Sequence, residues 1–268
     1  MTAVLEVEGL HKTFGGLVAV EAASFSVEAG RLFAIIGPNG AGKSTCFNMV
    51  GGQLRPDRGA VRLAGRDITG EPPRRIWRLG VGRTFQVAAA FGSMTVAENV
   101  QMAFLSHRRR IRALLPPARR LYREEALAVL DRVGMAGQAD RQCGQLAYGD
   151  IKRVELAVAL AHRPKLLLMD EPTAGMAPRE RVELMALTAG IVRESGISVL
   201  FTEHDMDVVF AHADRLLVLD RGRMVAEGTP AEVRDNPEVQ RIYLGGAGAE
   251  AALRQIEARQ GTRGEARP

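Results

Sequence analysis

Eight consecutive residues, Gly37-Pro38-Asn39-Gly40-Ala41-Gly42-Lys43-Ser44, follow the pattern G-x-x-x-x-G-K-[ST]. Glycines at these places let the backbone curl until successive N–H groups point into one concavity. A helix starting there adds partial positive charge, which suits phosphate. Lys43 can reach the β- and γ-phosphates of a nucleotide, and the Ser44 hydroxyl can ligate Mg²⁺. A second group stands at Asp170-Glu171, directly after the apolar run Leu166-Leu167-Leu168-Met169. Two carboxylates at the C-terminal end of a buried strand lie where open α/β sheets bind ligands. Asp170 suits the outer coordination of Mg²⁺, and Glu171 can orient or deprotonate an attacking water. His204, in Thr202-Glu203-His204-Asp205, ends another apolar run and should face the same crevice, within reach of a γ-phosphate. A second glycine-bearing loop, Leu146-Ala147-Tyr148-Gly149-Asp150, opens a helical segment over Ile151 to Ala161. It is another anion site, and with the chain's own phosphate loop already filling that role, it suggests a nucleotide on another subunit.

These residues need a sheet to hold them. Leu32–Ile36, Leu166–Met169, Ser198–Thr202 and Leu216–Leu219 are continuous apolar runs, as strands covered on both faces read. A helical pattern from Pro178 to Ser195, closed by Gly196, joins two of them in βαβ fashion. The expected fold is therefore α/β, with a mostly parallel sheet and helices on both sides. Leu5–Glu8 and Ala23–Val27 alternate with period two, and with Ala60–Leu63 they point to a small antiparallel sheet beside the main one. Residues from about 87 to 163 read as a helical insertion. Within it, Thr95 and Glu98 have capping-box spacing. A second helix is expected over Arg119–Val133 with Leu121, Leu127, Leu130 and Val133 on one face, separated from the first by Pro116-Pro117. Residues 246–268, rich in Gly, Ala, Arg and Glu, lack a core-forming pattern and read as a frayed or flexible tail after a domain spanning 1–245.

Composition closes off other classes. A chain of 268 residues with 46% hydrophobic and 25% charged residues is ordinary globular protein. No apolar run approaches the roughly 18 residues of a membrane span. The start of the chain lacks a basic region followed by an apolar one, so a secretory signal is not expected. Two cysteines, Cys46 and Cys143, make neither a disulfide framework nor a four-ligand zinc site, which favours a reducing cytosol. Seven arginines and no acid between Arg108 and Arg123 exceed the whole net charge of +5. A broadly basic nucleic-acid binder is a poor reading on that ground. The stretch itself reads either as a solvated face or as a surface for anionic headgroups or an acidic partner loop.

The order of these motifs resembles the ATP-binding subunits of ABC transporters, over about residues 4 to 245: a phosphate loop (37–45), Gln86 in Arg83-Thr84-Phe85-Gln86, a signature loop (146–150), a strand with its acidic pair (166–171) and the histidine His204. The resemblance implies a P-loop NTPase fold of that type, with a small antiparallel β sub-domain and the helical segment as an inserted sub-domain. It implies ATP and Mg²⁺ as ligands, with Gly37 through Thr45 on the nucleotide. Metal contacts are implied for Ser44, Gln86 and Asp170, and catalytic roles for Lys43, Gln86, Glu171 and His204. Phe14 falls where the family stacks an aromatic ring on adenine, although it could instead be a core residue of the small sheet. Ala147 and Gly149 would touch the nucleotide of a partner subunit in a head-to-tail dimer, and the Gln86 region and helical segment would meet membrane-embedded permease subunits.

Thr84-Phe85-Gln86, the opening Leu-Ala-Tyr-Gly of the signature, Ala174–Pro178 and the ending from Gly228 to Gly245 are similar to the larger ATPase subunit of high-affinity branched-chain amino acid importers. That branch implies a peripheral subunit on the cytoplasmic face of the inner membrane, working indirectly with a periplasmic solute-binding protein. A lipid or lipopolysaccharide exporter ATPase, or a soluble ABC ATPase acting on DNA or ribosomes, are the other readings. Against the last, the chain has one phosphate loop and no heptad run. The sequence departs from the common Leu-Ser-Gly-Gly-Gln signature, since Ala147 removes a hydroxyl and Tyr148 and Asp150 also differ. Ala177 replaces the usual aspartate of the loop after Glu171, which weakens the expected cross-talk between two ATP sites.

Overall fold

A computed structural model describes residues 2–84, 90–108 and 121–244. Gln86, Pro116-Pro117, most of the arginine stretch and residues 245–268 lie outside the described residues. The chain opens with a long hairpin, β1 (Ala3–Phe14) and β2 (Leu17–Glu28), then β3 (Leu32–Ile36) and α1 (Lys43–Val50). β4 (Arg58–Leu63), β5 (Arg66–Asp67), α2 (Pro73–Arg78) and β6 (Val81–Thr84) follow. Three helices come next, α3 (Val96–His107), α4 (Arg123–Arg132) and α5 (Tyr148–Leu160). The chain then runs through β7 (Leu166–Asp170), α6 (Pro178–Ser195), β8 (Ser198–Thr202), α7 (Met206–His212), β9 (Arg215–Asp220), β10 (Arg223–Gly228), α8 (Pro230–Arg234) and α9 (Pro237–Leu244).

Two sheets form. β2-β1-β4-β5 is antiparallel, and β10-β9-β3-β8-β7-β6 is parallel from β9 to β6 with an antiparallel edge at β10. Both expected sheets are present. The four apolar runs are neighbours in the second, and its inner strands β3 and β8 are buried along their whole length. Because strand side chains alternate, each buried strand feeds two cores. Leu32, Ala34, Ile36, Leu167, Met169, Val199 and Phe201 pack with the helices α3 to α6. Phe33, Ile35, Leu166, Leu168 and Leu200 pack with α1 and the antiparallel sheet. The parallel sheet is thus wedged between the small sheet on one side and the helices on the other, and its C-terminal strand ends stay open for chemistry.

Local signals set the helix ends. The Thr95 hydroxyl accepts from Glu98 N–H while the Glu98 carboxylate accepts from Thr95 N–H, closing the capping box that starts α3. α6 ends at Gly196 in the left-handed conformation (φ +67°), as glycine permits. Two expectations need correction. Of the helix expected over Arg119–Val133, residues 119–120 lie outside the described residues; α4 starts at Arg123, after a left-handed Tyr122 (φ +59°), so Leu121 precedes the helix and Ala126 joins Leu130 on the buried face. The helix expected from Ile151 starts at Tyr148, so the signature residues Tyr148, Gly149 and Asp150 form its first turn rather than a loop before it.

Candidate functional site

The phosphate loop is gripped from two sides. A Cβ on Gly37 (φ +151°) would lie 2.1 Å from the Leu219 carbonyl oxygen, and one on Gly42 (φ +99°) would lie 2.3 Å from that of Ala19. Glycine is therefore required by both conformation and space. Gly222 N–H donates to Ala41 O at 2.9 Å, bringing the β9–β10 turn against the loop. Gly42 caps α1 without a side-chain acceptor, and Lys43 and Ser44 open the helix, leaving its first N–H groups toward the loop. The Lys43 side chain is buried, and its Nζ donates to Gly37 O (2.7 Å) and Pro38 O (3.0 Å). Burial pushes this amine below its ordinary pKa, while Glu171 and Asp170 push it back up. A cation held among oxygens at the start of a helix is an arrangement chemically suited to phosphate.

Facing this loop are the ends of β7 and β8. Thr202 Oγ1 donates to Asp170 Oδ1 at 2.7 Å, and Arg83 of β6 stands 3.8 Å from Asp170 Oδ2. Arg83 also donates to Asn48 of α1 (2.8 Å), so Asp170 is fixed from β8, β6 and α1 together. Glu171 has a left-handed backbone (φ +47°), a conformation a non-glycine residue adopts at a cost. Its N–H donates to both oxygens of Thr202, each at 3.1 Å. That turn aims the side chain at His204, whose Nε2 lies 2.5 Å from Glu171 Oε1.

A cleft of about 440 Å³ joins these groups. Asn39 through Thr45, Glu171 and His204 line it, which gathers most of the residues singled out from the sequence. Gly37 and Pro38 contribute the carbonyls that hold Lys43, while Asp170 sits behind Glu171 rather than on the cleft wall. Phe14, at the end of β1, is 46% exposed with Lys12 Nζ 5.7 Å from its ring centre. It is therefore not a core residue, and it pairs across the hairpin with Leu17, which does line the cleft. Ala147 and Gly149 lie away from this cleft at the start of α5, where Ala147 caps the helix with no side-chain acceptor. Gln86 lies outside the described residues.

Sequence reasoning passed over the cleft wall supplied by Leu17, Val18 and Ala19, and over Arg221. The first three have no distinctive side chains; they matter as the start of β2, against which Gly42 packs. Arg221 carried a readable signal: Arg221-Gly222, both with positive φ, form the two-residue turn of the β9–β10 hairpin, and such a dipeptide between apolar runs marks a hairpin.

The hard oxygens available, the Ser44 hydroxyl on the cleft and the Asp170 carboxylate behind it, suit Mg²⁺, which takes few protein ligands and keeps its waters and phosphate oxygens.

Comparison with known proteins decides the family. Residues 20–174 match the family described as ABC transporter, and residues 223–249 match the family described as branched-chain amino acid ATP-binding cassette transporter. The chain belongs to the ABC transporter ATP-binding family. It is 42% identical to the high-affinity branched-chain amino acid transport ATP-binding protein BraF of Pseudomonas aeruginosa and 41% identical to LivG of Salmonella typhimurium. Each match covers 91% of this chain and 98% of the relative. The lipopolysaccharide export ATP-binding protein LptB of Acidithiobacillus ferridurans is 36% identical, over 91% of this chain and 98% of that one. Among solved structures, the ADP conformation of the ABC transporter cassette MJ1267 superposes with a TM-score of 0.82 at 33% identity, covering 92% of this chain and 100% of that one. A dimeric post-hydrolysis structure of the cassette MJ0796 with ADP and phosphate gives 0.70 at 26% identity, covering 84% and 98%. The α/β architecture is that of an ABC ATPase cassette. Among the described residues no helix is long and apolar enough to cross a membrane.

Proposed function

We propose that the chain hydrolyses MgATP as a peripheral ATPase subunit of an importer for branched-chain amino acids or a related small polar solute, at the cytoplasmic face of the membrane. The facing of the Lys43 loop and the Glu171–His204 pair across one cleft carries this reading. Asn39 through Thr45 bind the phosphates, with Lys43 on the β/γ oxygens. Glu171 takes the proton of the attacking water, and His204, bonded to Glu171, reaches the γ-phosphate. Ser44 and Asp170, with Gln86, would hold Mg²⁺, which neutralises charge on the phosphates. Phe14 stacks on the adenine from the hairpin whose other strand forms the cleft wall.

Ala147 and Gly149 act on the ATP of a second ATPase subunit. The early start of α5 supports this, because it leaves the first-turn N–H groups around Gly149 without a side-chain cap. The segment 87–163 serves as the inserted helical sub-domain of a domain spanning 1–245, with 246–268 as a tail. A cavity of about 540 Å³ is lined by Trp77 of α2, Thr84 at the end of β6, Phe91, and Met102 of α3. It is where a permease segment would engage, so that closure of two subunits around ATP moves the membrane subunits. The solute itself is recognised upstream, by a periplasmic binding protein.

The test is reconstitution with the permease, the second ATPase subunit and the binding protein encoded alongside, followed by uptake of labelled leucine into proteoliposomes. ATP-dependent uptake, with hydrolysis stimulated by loaded binding protein, is expected. The similarity to LptB favours a second reading, export of a lipid. Assembly with a lipid-extracting permease and no solute-stimulated hydrolysis would support that instead.

A further inference from the structure

The loops leaving β7 and β8 are joined by more than the Glu171–His204 contact. Beneath it lies a second carboxylate, Glu203, only 4% exposed and absent from the cleft wall. Its Oε1 accepts from Thr173 N–H (2.9 Å) and from Thr173 Oγ1 (2.6 Å), and its Oε2 accepts from the His204 N–H (3.1 Å). Thr173 is 1% exposed. A buried carboxylate is tolerated where donors satisfy it, and here the donors come from both loops. One is two residues beyond Glu171, and the other is the backbone of His204 itself. Farther out, Arg181 of α6 donates to Asp205 (2.9 Å) and to Met176 O (2.8 Å), tying the same two loops on the solvent side. Deeper in, Thr202 holds Asp170 and the Glu171 backbone.

We infer that Glu203 is a positioning residue for hydrolysis: by bonding Thr173 through one oxygen and the His204 backbone through the other, it sets Glu171 and His204 in register. This rests on the roles proposed above for those two residues. The chemical need is specific. The strained Glu171 backbone would relax if the Pro172-Thr173 step were not anchored, and a carboxylate is the one side chain here whose two oxygens both accept. Glutamine at this place would turn one oxygen into a donor facing the Thr173 or the His204 N–H. Because Glu203 does not line the cleft, its loss should spare binding of nucleotide and slow turnover.

The test uses Glu203→Gln, Thr173→Val and Thr173→Ser in the assembled transporter. ATP affinity, KM, kcat per bound-nucleotide site and melting temperature are measured for each, with Glu171→Gln alongside. Expected is a fall in kcat of about ten- to a hundredfold for Glu203→Gln and about tenfold for Thr173→Val, with KM within about twofold. Thr173→Ser, which keeps the hydroxyl donor, should restore most of the rate. If Glu203→Gln does not fold, the Thr173 pair decides alone. Wild-type kcat in Thr173→Val, or equal losses in the valine and serine variants, would overturn the inference. An inactive Glu171→Gln beside a fully active Thr173→Val would sink the inference and leave the proposed function standing. An active Glu171→Gln would overturn both.

Discussion

Lys43 shows how a functional side chain is held against its own preference. Burial disfavours its charge, and two backbone carbonyls and two nearby carboxylates offset that only in part. Lys43→Ala should therefore abolish hydrolysis and weaken ATP binding while leaving the melting temperature equal or slightly higher, since a poorly solvated cation is removed. Calorimetric titration with MgATP and a thermal melt check both halves. Undiminished turnover in the assembled transporter would break the phosphate-loop assignment. Three residues on, Cys46 is fully buried and its thiol is pushed up to about 12 by desolvation. Cys143 is buried with its pKa also raised by burial. Neither should react with a chromogenic disulfide reagent in the native chain, and both should react after denaturation. Rapid labelling without unfolding would contradict their placement. At this scale the sequence was most informative. Lys43, Ser44, Glu171 and His204, which line one cleft, could be picked out because phosphate chemistry demands particular side chains at particular spacings. Ala19 and Glu203 could not be read as readily, because they act through backbone or through neighbours that only the fold brings near.

At the scale of elements, the C-terminal end of α5 meets α2 and α3 through rings. His162 packs against Trp77 (4.8 Å between ring centres) and His107 (5.5 Å). Burial, with His107 adding to it, lowers the His162 pKa to about 4. Between about 6.5 and about 4 the unfolded chain binds a proton at His162 that the folded chain refuses, so stability is lost as pH falls through that window. The contribution is on the order of 3 kcal/mol for a shift of this size. A melt at pH 7.5 and at pH 5 should show a larger drop for wild type than for His162→Phe; equal drops would show that His162 does not set this dependence. Element types were legible where burial imposed a pattern: continuous apolar runs gave β3, β7, β8 and β9, and the Thr95–Glu98 spacing gave the start of α3. β6 (Val-Gly-Arg-Thr) and β10 (Arg-Met-Val-Ala-Glu-Gly) were missed, because each is short and carries little apolar pattern at the rim of the sheet. The start of α4 was missed because nothing local announces that Tyr122 takes a left-handed turn.

For the whole molecule, strand order β10-β9-β3-β8-β7-β6 joins segments far apart in sequence, and no local pattern encodes that adjacency. What could be read was that several buried strands share a sheet and present their C-terminal ends together, which was enough to gather Glu171 and His204 with the phosphate loop. Residues 246–268 lack a core-forming pattern, so deleting them should leave ATP affinity unchanged and the melting temperature within a degree or two. A loss of several degrees would show that the tail docks on the domain. The central claim is that Glu171 activates water in a cleft whose ATP also bridges to a second subunit. It is tested most directly by light scattering on Glu171→Gln with MgATP, alone and mixed with the second ATPase subunit of its transporter. The variant keeps the phosphate loop but lacks the carboxylate base, so bound ATP should persist and hold two chains together. A dimer mass that appears only with MgATP is expected, and more completely in the mixture, because Ala147 offers one hydroxyl fewer than a serine signature would. A monomer mass at saturating MgATP in both samples, or rapid ATP turnover by the variant, would contradict it.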